Sequence, residues 1–127
     1  EAMIVNLGTN DMLRGLGPAG ARDNIETILK VAETEDIRVL LVAMPAPGNY
    51  GRNYKQDFDA LYPDLEQAYG TLFYDNFFKG LGSDDLAELR AYFQNDGIHP
   101  NADGVARIVE ALGPSVAELV QASASVE

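Results

Sequence analysis

The only histidine of the chain lies in Asp96-Gly97-Ile98-His99-Pro100-Asn101, three residues after an aspartate. Because Gly97 lets the chain turn, the Asp96 carboxylate can accept a hydrogen bond from Nδ1 of His99. This bond fixes the ring tautomer and leaves Nε2 free as a general base. A solvated surface turn is the alternative interpretation. Zinc is disfavoured, because a single histidine without a neighbouring ligand pair offers too few ligands.

A second group of polar residues, Gly8-Thr9-Asn10-Asp11, directly follows an apolar run. Open parallel sheets place their sites at the carboxyl ends of strands, which is the position expected for this group. Glycine permits close backbone approach, and the Asn10 amide offers two N–H donors without a charge. An ordinary turn and helix cap is the alternative, because Gly, Asn and Asp are common in turns.

The elements that must position these two groups are predicted from apolar patterning. The apolar runs at residues 2–7 and 37–44 are typical of buried parallel strands, and residues 71–75 form a weaker third candidate. Apolar residues at helical spacing predict a helix over about residues 19–34, which completes a βαβ unit. A further helical face runs from Phe58 to Tyr69, and Pro63 is expected to break or kink it.

Two more helices are predicted towards the C-terminus. Ser83-Asp84-Asp85 is expected to cap a helix over Leu86–Phe93, and Asn101 to cap a last helix that Gly113-Pro114 interrupts, with fraying beyond about residue 121. The alternation of strands and helices predicts an α/β fold, a three-layer α/β/α sandwich around a parallel sheet. Three strands are few for this architecture, so strands are expected to be missing on the N-terminal side.

Charge and composition exclude several classes of function. With 9 Lys and Arg against 20 Asp and Glu, the net charge of −11 would be repelled by a phosphate backbone, so no nucleic acid partner is expected. No apolar run approaches the ~20 residues of a membrane span, so no integral membrane segment is expected. The absence of cysteine excludes disulfides and cysteine nucleophiles.

Taken together, the two polar motifs carry a family resemblance. Gly8-Thr9-Asn10-Asp11 and Asp96-Gly97-Ile98-His99-Pro100 resemble blocks III and V of the SGNH hydrolases, also called GDSL esterases or lipases. The segments at residues 7–15 and 49–54 are similar to the bacterial branch that contains thioesterase I, protease I, lysophospholipase L1 and arylesterases. The resemblance implies a flavodoxin-like parallel sheet and a serine esterase acting on a small acyl ester or thioester.

The resemblance also implies roles for individual residues. Asn10 would donate its side-chain amide to the tetrahedral oxyanion, His99 would act as general base and then acid, and Asp96 would orient His99. Residues 12–17 would form a mobile loop beside the acyl site. No cofactor is implied, since this hydrolysis uses only side chains, backbone donors and water. The residues expected to contact substrate are Gly8, Thr9, Met12, Met44, Pro45, Ala46, Pro47 and Ile98.

The family's nucleophilic serine block and its oxyanion glycine block have no counterpart in the sequence. The four serines, Ser83, Ser115, Ser123 and Ser125, lie in a helix cap and a C-terminal segment, away from both motifs. Residues 1–127 are therefore interpreted as the C-terminal part of a single SGNH domain. A complementary N-terminal fragment or chain would carry the serine, and the bacterial relatives suggest a periplasmic or secreted protein. Two alternatives remain: a non-catalytic binding module on this scaffold, and an assembly that exchanges strands.

Overall fold

A computed structural model of the chain describes residues 1–124, without the side chain of Leu86. Three parallel strands form one sheet in the order β1 (Ala2–Val5), β2 (Arg38–Val42), β3 (Leu72–Tyr74). All three predicted strands are present, each shorter than its apolar run. The register pairs Ile4 with Leu40 and Leu40 with Leu72, so the carboxyl ends of the strands lie along one edge of the sheet.

Helices cover both faces of this sheet. The helices are α1 (Thr9–Leu13), α2 (Pro18–Thr34), α3 (Arg52–Tyr69), α4 (Leu86–Leu89) and α5 (Ala102–Ala124). Helices α2 and α3 pack against each other and against β2, and α5 contacts all three strands. Strand β2 is buried on both sides: Leu40 and Val42 pack with Leu119 of the last helix, and Leu41 belongs to the core under the other two helices. This arrangement confirms the predicted α/β sandwich.

Strand β1 lies at the edge of the sheet. Within residues 1–124 it pairs only with β2, so its second edge is open. Ile4 on this strand is 45% exposed, and Val105, Val109 and Val120 of α5 are also exposed. An open, apolar strand edge is a template for pairing with another strand.

Neither proline breaks its helix, so the predicted break at Pro63 and the predicted interruption at Gly113-Pro114 are wrong. Pro63 lies inside the continuous helix α3, and Pro114 lies inside α5, which Gly113-Pro114 does not interrupt. A proline removes one helical hydrogen bond and crowds the preceding turn. Both prolines are exposed, so water can reach that side of the helix and the packed faces continue past them. Helix α5 reaches Ala124, and the rest of the segment predicted to fray, residues 125–127, lies outside the described residues.

The helix predicted over Leu86–Phe93 is also wrong in length. The α-helix ends at Leu89 and a 3-10 turn follows at Arg90–Tyr92. Phe93 then takes extended backbone and forms an antiparallel bridge with Pro100, which prevents the helix from continuing. Asp85 caps the helix by accepting a bond from the Ala87 N–H at 2.9 Å. Asn101 caps α5 as predicted, through the Gly104 N–H at 2.9 Å.

Among the described residues, no helix is both long enough and apolar enough to cross a membrane.

Candidate active site

Asp96 and His99 form a hydrogen-bonded pair. Nδ1 of His99 lies 2.5 Å from Oδ2 of Asp96, and Oδ1 accepts bonds from the N–H groups of Ile98 at 2.8 Å and His99 at 3.0 Å. These bonds, led by the one from the His99 ring, lower the pKa of Asp96 to about 2. The predicted turn that brings the two side chains together is therefore confirmed. An ionised carboxylate here fixes the ring orientation and stabilises the charged imidazolium.

The backbone around this pair is held as a closed loop. The Phe93–Pro100 bridge joins its ends, and the Gln94 N–H donates to the His99 carbonyl at 2.8 Å. Gly97 turns the chain with φ of 68°, a left-handed conformation that favours glycine. The His99 side chain is 69% exposed, and its Nε2 has no hydrogen-bond partner among residues 1–124. The ring is thus oriented at one nitrogen and free at the other.

The loop between β1 and α1 is shaped by helix α3. Gly8 has φ of 133°, and a Cβ atom at this position would overlap the Tyr62 hydroxyl. That hydroxyl donates to the Leu7 carbonyl at 2.7 Å. Burial raises the pKa of Tyr62, so its hydroxyl stays protonated and can donate. Only glycine fits between β1 and this tyrosine, and α1 begins at the next residue, Thr9.

Asn10 and Thr9 present polar atoms without partners in the described part of the chain. Asn10 is exposed, and its amide makes no side-chain hydrogen bond with residues 1–124. The Thr9 hydroxyl oxygen is buried and has no partner among these residues. The Asn10 amide is therefore available to an external acceptor.

One cavity of about 460 Å³ brings the two motifs together. Of the residues predicted from the sequence, Gly8, Thr9, Asn10, Met44, Ile98 and His99 line it. The rest of its wall is mostly apolar. Leu13, from the loop expected beside the acyl site, also lines it. Side chains that line it but carry no sequence motif include Asn24, Ile25, Ile28, Phe77 and Phe78.

The structure does not bring Met12, Pro45, Ala46 or Pro47 to this cavity. Met12 is 3% exposed and packs into the core beneath α1. The chain after β2 turns away towards α3, where Asp59 Oδ1 accepts a bond from the Ala46 N–H at 2.8 Å.

Pro45 lines a second cavity of about 520 Å³, and the exposed Pro47 precedes a 3-10 turn. Of the segment at residues 44–47, Met44 alone lines the cavity that holds His99.

Some of the cavity residues outside the predicted set are marked by their position in the sequence, and others are not. Phe77 and Phe78 follow the last strand, so their position at its carboxyl end could have marked them. Asn24, Ile25 and Ile28 lie on a helix with ordinary amphipathic spacing, and only the packing of α2 beside the β1 loop brings them to the cavity. Within residues 1–124, no three His, Cys, Asp or Glu side chains are grouped so as to hold a metal ion.

Solved structures share this fold. The crystal structure of TesA superposes with a TM-score of 0.78 at 31% identity, covering 91% of this chain and 62% of that chain. AlinE4, described as an SGNH-hydrolase family esterase, superposes with a TM-score of 0.66 at 38% identity, covering 91% of this chain and 58% of that chain. The class of protein is thus that of the SGNH hydrolase fold.

Sequence comparison gives the family. Residues 1–107 match the GDSL-like lipase/acylhydrolase family, and the chain belongs to it. It is 30% identical to Esterase TesA of Pseudomonas aeruginosa over 118 residues, which cover 93% of this chain and 56% of that protein. It is also 30% identical to thioesterase 1/protease 1/lysophospholipase L1 of Escherichia coli over 118 residues, which cover 93% of this chain and 54% of that protein. The chain spans about half the length of these curated relatives.

Proposed function

We propose that the protein is a serine ester or thioester hydrolase, and that residues 1–127 are the C-terminal part of a single SGNH domain. One observation carries this proposal: His99, which is paired with Asp96, and the free Asn10 amide belong to opposite ends of the sequence and line the same cavity. The GDSL-like family and the relatives with esterase and thioesterase names support the same reaction class.

In this mechanism, Nε2 of His99 takes the proton of a serine hydroxyl as that oxygen attacks the substrate carbonyl. The Asn10 amide donates to the oxyanion that forms, and Asp96 holds the imidazolium. The carbonyl then re-forms, and the alcohol or thiol leaves with the proton from His99. A water molecule deprotonated by His99 attacks the acyl-enzyme, and the carboxylic acid is released as the serine recovers its proton.

The wall of the cavity supports an apolar acyl group as the part of the substrate that binds there. Leu13, Ile28, Met44, Phe77 and Phe78 surround it with hydrocarbon and sulfur, which favours an acyl chain over a charged group. Asn6, Thr9, Asp11 and Asn24 add polar groups to the wall, and the proposal assigns a role at the reacting carbonyl to Asn10 and His99. The proposed substrate is therefore a small acyl ester or thioester.

The proposed serine comes from outside these residues, on a complementary N-terminal segment or a partner chain. Ser83 donates to Glu88 at 2.5 Å, Ser123 bonds to carbonyls of its own helix, and neither lines the cavity. Ser115 lies within α5, and Ser125 lies outside the described residues. The open edge of β1 offers the complementary segment a strand to pair with.

For location, the proposal is a periplasmic or secreted protein. This proposal rests on the resemblance to relatives that are bacterial proteins.

The experiment uses the complete gene product, with whatever residues precede Glu1, and short p-nitrophenyl acyl esters. The wild-type protein is expected to release p-nitrophenolate, and His99→Ala to abolish this release because no base remains for the serine. Asp103→Asn, a change of an exposed aspartate in the first turn of α5, is the control and should leave the rate unchanged. Unchanged turnover in His99→Ala would contradict the mechanism. A protein that binds acyl esters without cleaving them would support a binding module instead.

A further inference from the structure

A line of aromatic rings lies along helix α3 and the turn before it. The rings of Tyr50, Tyr54, Phe58 and Tyr62 follow one another with centroid separations of 5.2, 5.8 and 6.1 Å. Two of these residues use their hydroxyls on the same neighbouring segment. Tyr62 donates to the Leu7 carbonyl at 2.7 Å, and Tyr54 donates to the Leu16 carbonyl at 2.9 Å. The segment at residues 7–16 is therefore fastened to α3 at both ends.

This segment forms part of the wall of the cavity that holds His99. Its residues that line the cavity are Leu7, Gly8, Thr9, Asn10, Asp11 and Leu13. Its first half is well anchored, because Gly8 packs on Phe58 and Met12 is buried. Its second half is not: Leu13 is 50% exposed, Leu16 is 48% exposed and Gly15 has a left-handed φ of 68°.

The backbone bonds of this second half are local, such as Leu16 N–H to the Asp11 carbonyl at 2.9 Å. Among the described residues, the Tyr54 hydroxyl supplies the one hydrogen bond that ties residues 13–16 to another element. The end of the segment, three residues after Leu13, is thus held to α3 by this bond.

We infer that Tyr54 is a positioning residue: by holding the Leu16 carbonyl it keeps Leu13 against the cavity and thereby sets which acyl chains bind. This inference deepens the proposed function and rests on it for its effect on substrate choice. The placement of the loop by Tyr54 is a separate claim, which can be tested without turnover. Burial raises the pKa of Tyr54, so its hydroxyl remains a donor at neutral pH.

The test of placement is limited digestion with trypsin, because Arg14 lies within the affected half of the loop. The complete gene product is digested as wild type, as Tyr54→Phe and as Tyr50→Phe. Removing one such hydrogen bond is expected to speed cleavage after Arg14 by about three- to tenfold. Tyr50→Phe is the matched control, because Tyr50 stacks in the same line but its hydroxyl makes no bond to this loop. Cleavage after Arg38, which lies in β2, reports unfolding of the whole domain.

The inference is supported if Tyr54→Phe speeds cleavage after Arg14 but not after Arg38, and Tyr50→Phe speeds neither. An unchanged rate after Arg14 would overturn it, because the bond would then not hold the loop. An equal increase after Arg38 would also overturn it, because the variant would then be less stable as a whole. These rates decide the placement even if the wild-type protein has no esterase activity, which would contradict the proposed function instead.

The second measurement is a steady-state comparison of p-nitrophenyl acetate with p-nitrophenyl decanoate. Tyr54→Phe is expected to raise KM for decanoate several-fold while leaving kcat for acetate within about twofold, because Leu13 would contact only the longer chain. A general loss of stability would lower activity on both esters alike. Equal KM ratios in wild type and Tyr54→Phe would overturn the role in substrate choice.

Discussion

The low pKa of Asp96 is due chiefly to its hydrogen bond with the His99 ring, so this bond can be measured without any substrate. The pKa is lowered from 3.8 to about 2, first by the His99 ring and then by two backbone N–H groups. Because the pKa is depressed in the folded state, the resulting stabilisation is present above pH 3.8 and is lost as the pH falls towards 2. His99→Ala should therefore move the carboxyl titration of Asp96, followed by ¹³C NMR, upward from about 2 towards 3.8.

The matched control for that titration is Asp103→Asn, which changes an aspartate outside the loop and should leave the Asp96 curve where it is. If His99→Ala also leaves the curve unchanged, the backbone donors alone hold the charge. The pairing of Asp96 with His99 would then make no contribution to the pKa of Asp96.

Asn10 should matter for rate and not for stability. Its amide makes no side-chain bond within residues 1–124, so Asn10→Ala removes no internal interaction. Under the proposed mechanism it removes an oxyanion donor, which lowers kcat by about 10²–10³ with little change in KM. Asn24→Ala, an amide elsewhere on the same cavity wall, is the control and should lower kcat far less. A fall in the melting temperature of Asn10→Ala that matches its loss of activity would contradict this assignment.

At the scale of elements, the features that depend on residues close together in the sequence are the ones that the sequence predicts. Gly97 between Asp96 and His99 was enough to predict their contact, and the apolar runs were enough to predict three strands. The path of the chain at residues 45–47 was not predictable in this way, because bonds from α3 to Ala46 turn that segment away from the cavity. The break predicted at Pro63 is absent for a similar reason, since the packing of the helix on the sheet outweighs one lost backbone bond.

The contact between the β1 loop and α3 gives a prediction about elements. Gly8→Ala adds a Cβ that overlaps the Tyr62 hydroxyl, at a φ of 133° that side chains rarely adopt. It should lower the free energy of unfolding by at least about 2 kcal/mol, as strain and overpacking each cost about 1–3 kcal/mol. Chemical denaturation of the complete gene product measures the loss. Gly17→Ala, where φ is −70° and the space is open, is the control and should cost little.

A double-mutant cycle separates the cost of the overlap with Tyr62 from the cost of the backbone strain at Gly8. Tyr62→Phe removes the hydroxyl that the new Cβ meets, so the added cost of Gly8→Ala should be smaller in that background. The backbone strain at Gly8 would remain, so recovery should be partial. Full additivity of the two changes would mean that Tyr62 does not determine the requirement for glycine.

For the whole molecule, the apolar pattern of the sequence predicts the layers of helices and sheet, but it does not predict which strand lies on the second side of β1. Strand β2 is apolar from Val39 to Val42, where it is covered on both faces, and the sequence shows this run directly. Which strand lies beside β1 is a long-range property that no residue of β1 encodes. Its exposed Ile4 becomes informative only once the sheet order leaves the second edge of β1 open.

The open edge of β1 predicts that residues 1–127, expressed without a complementary segment, associate with themselves and fail to unfold as a cooperative monomer. The net charge of −11 repels copies of the chain, so added salt should strengthen the association by screening that repulsion. Light scattering after size-exclusion chromatography, at low and high salt, measures both effects. A cooperative monomer at every salt concentration would show that the edge needs no partner.

The same measurement tests whether β1 is the associating surface. Ile4→Lys places a charge on the open strand and should reduce the associated fraction, because an edge lysine opposes strand pairing. Leu16→Lys makes the same chemical change at a similarly exposed residue, 48% against 45%, in the loop between α1 and α2. If both variants reduce association equally, general surface hydrophobicity drives it. If Ile4→Lys alone does so, the copies meet along β1, on the edge that the proposed N-terminal segment would otherwise occupy.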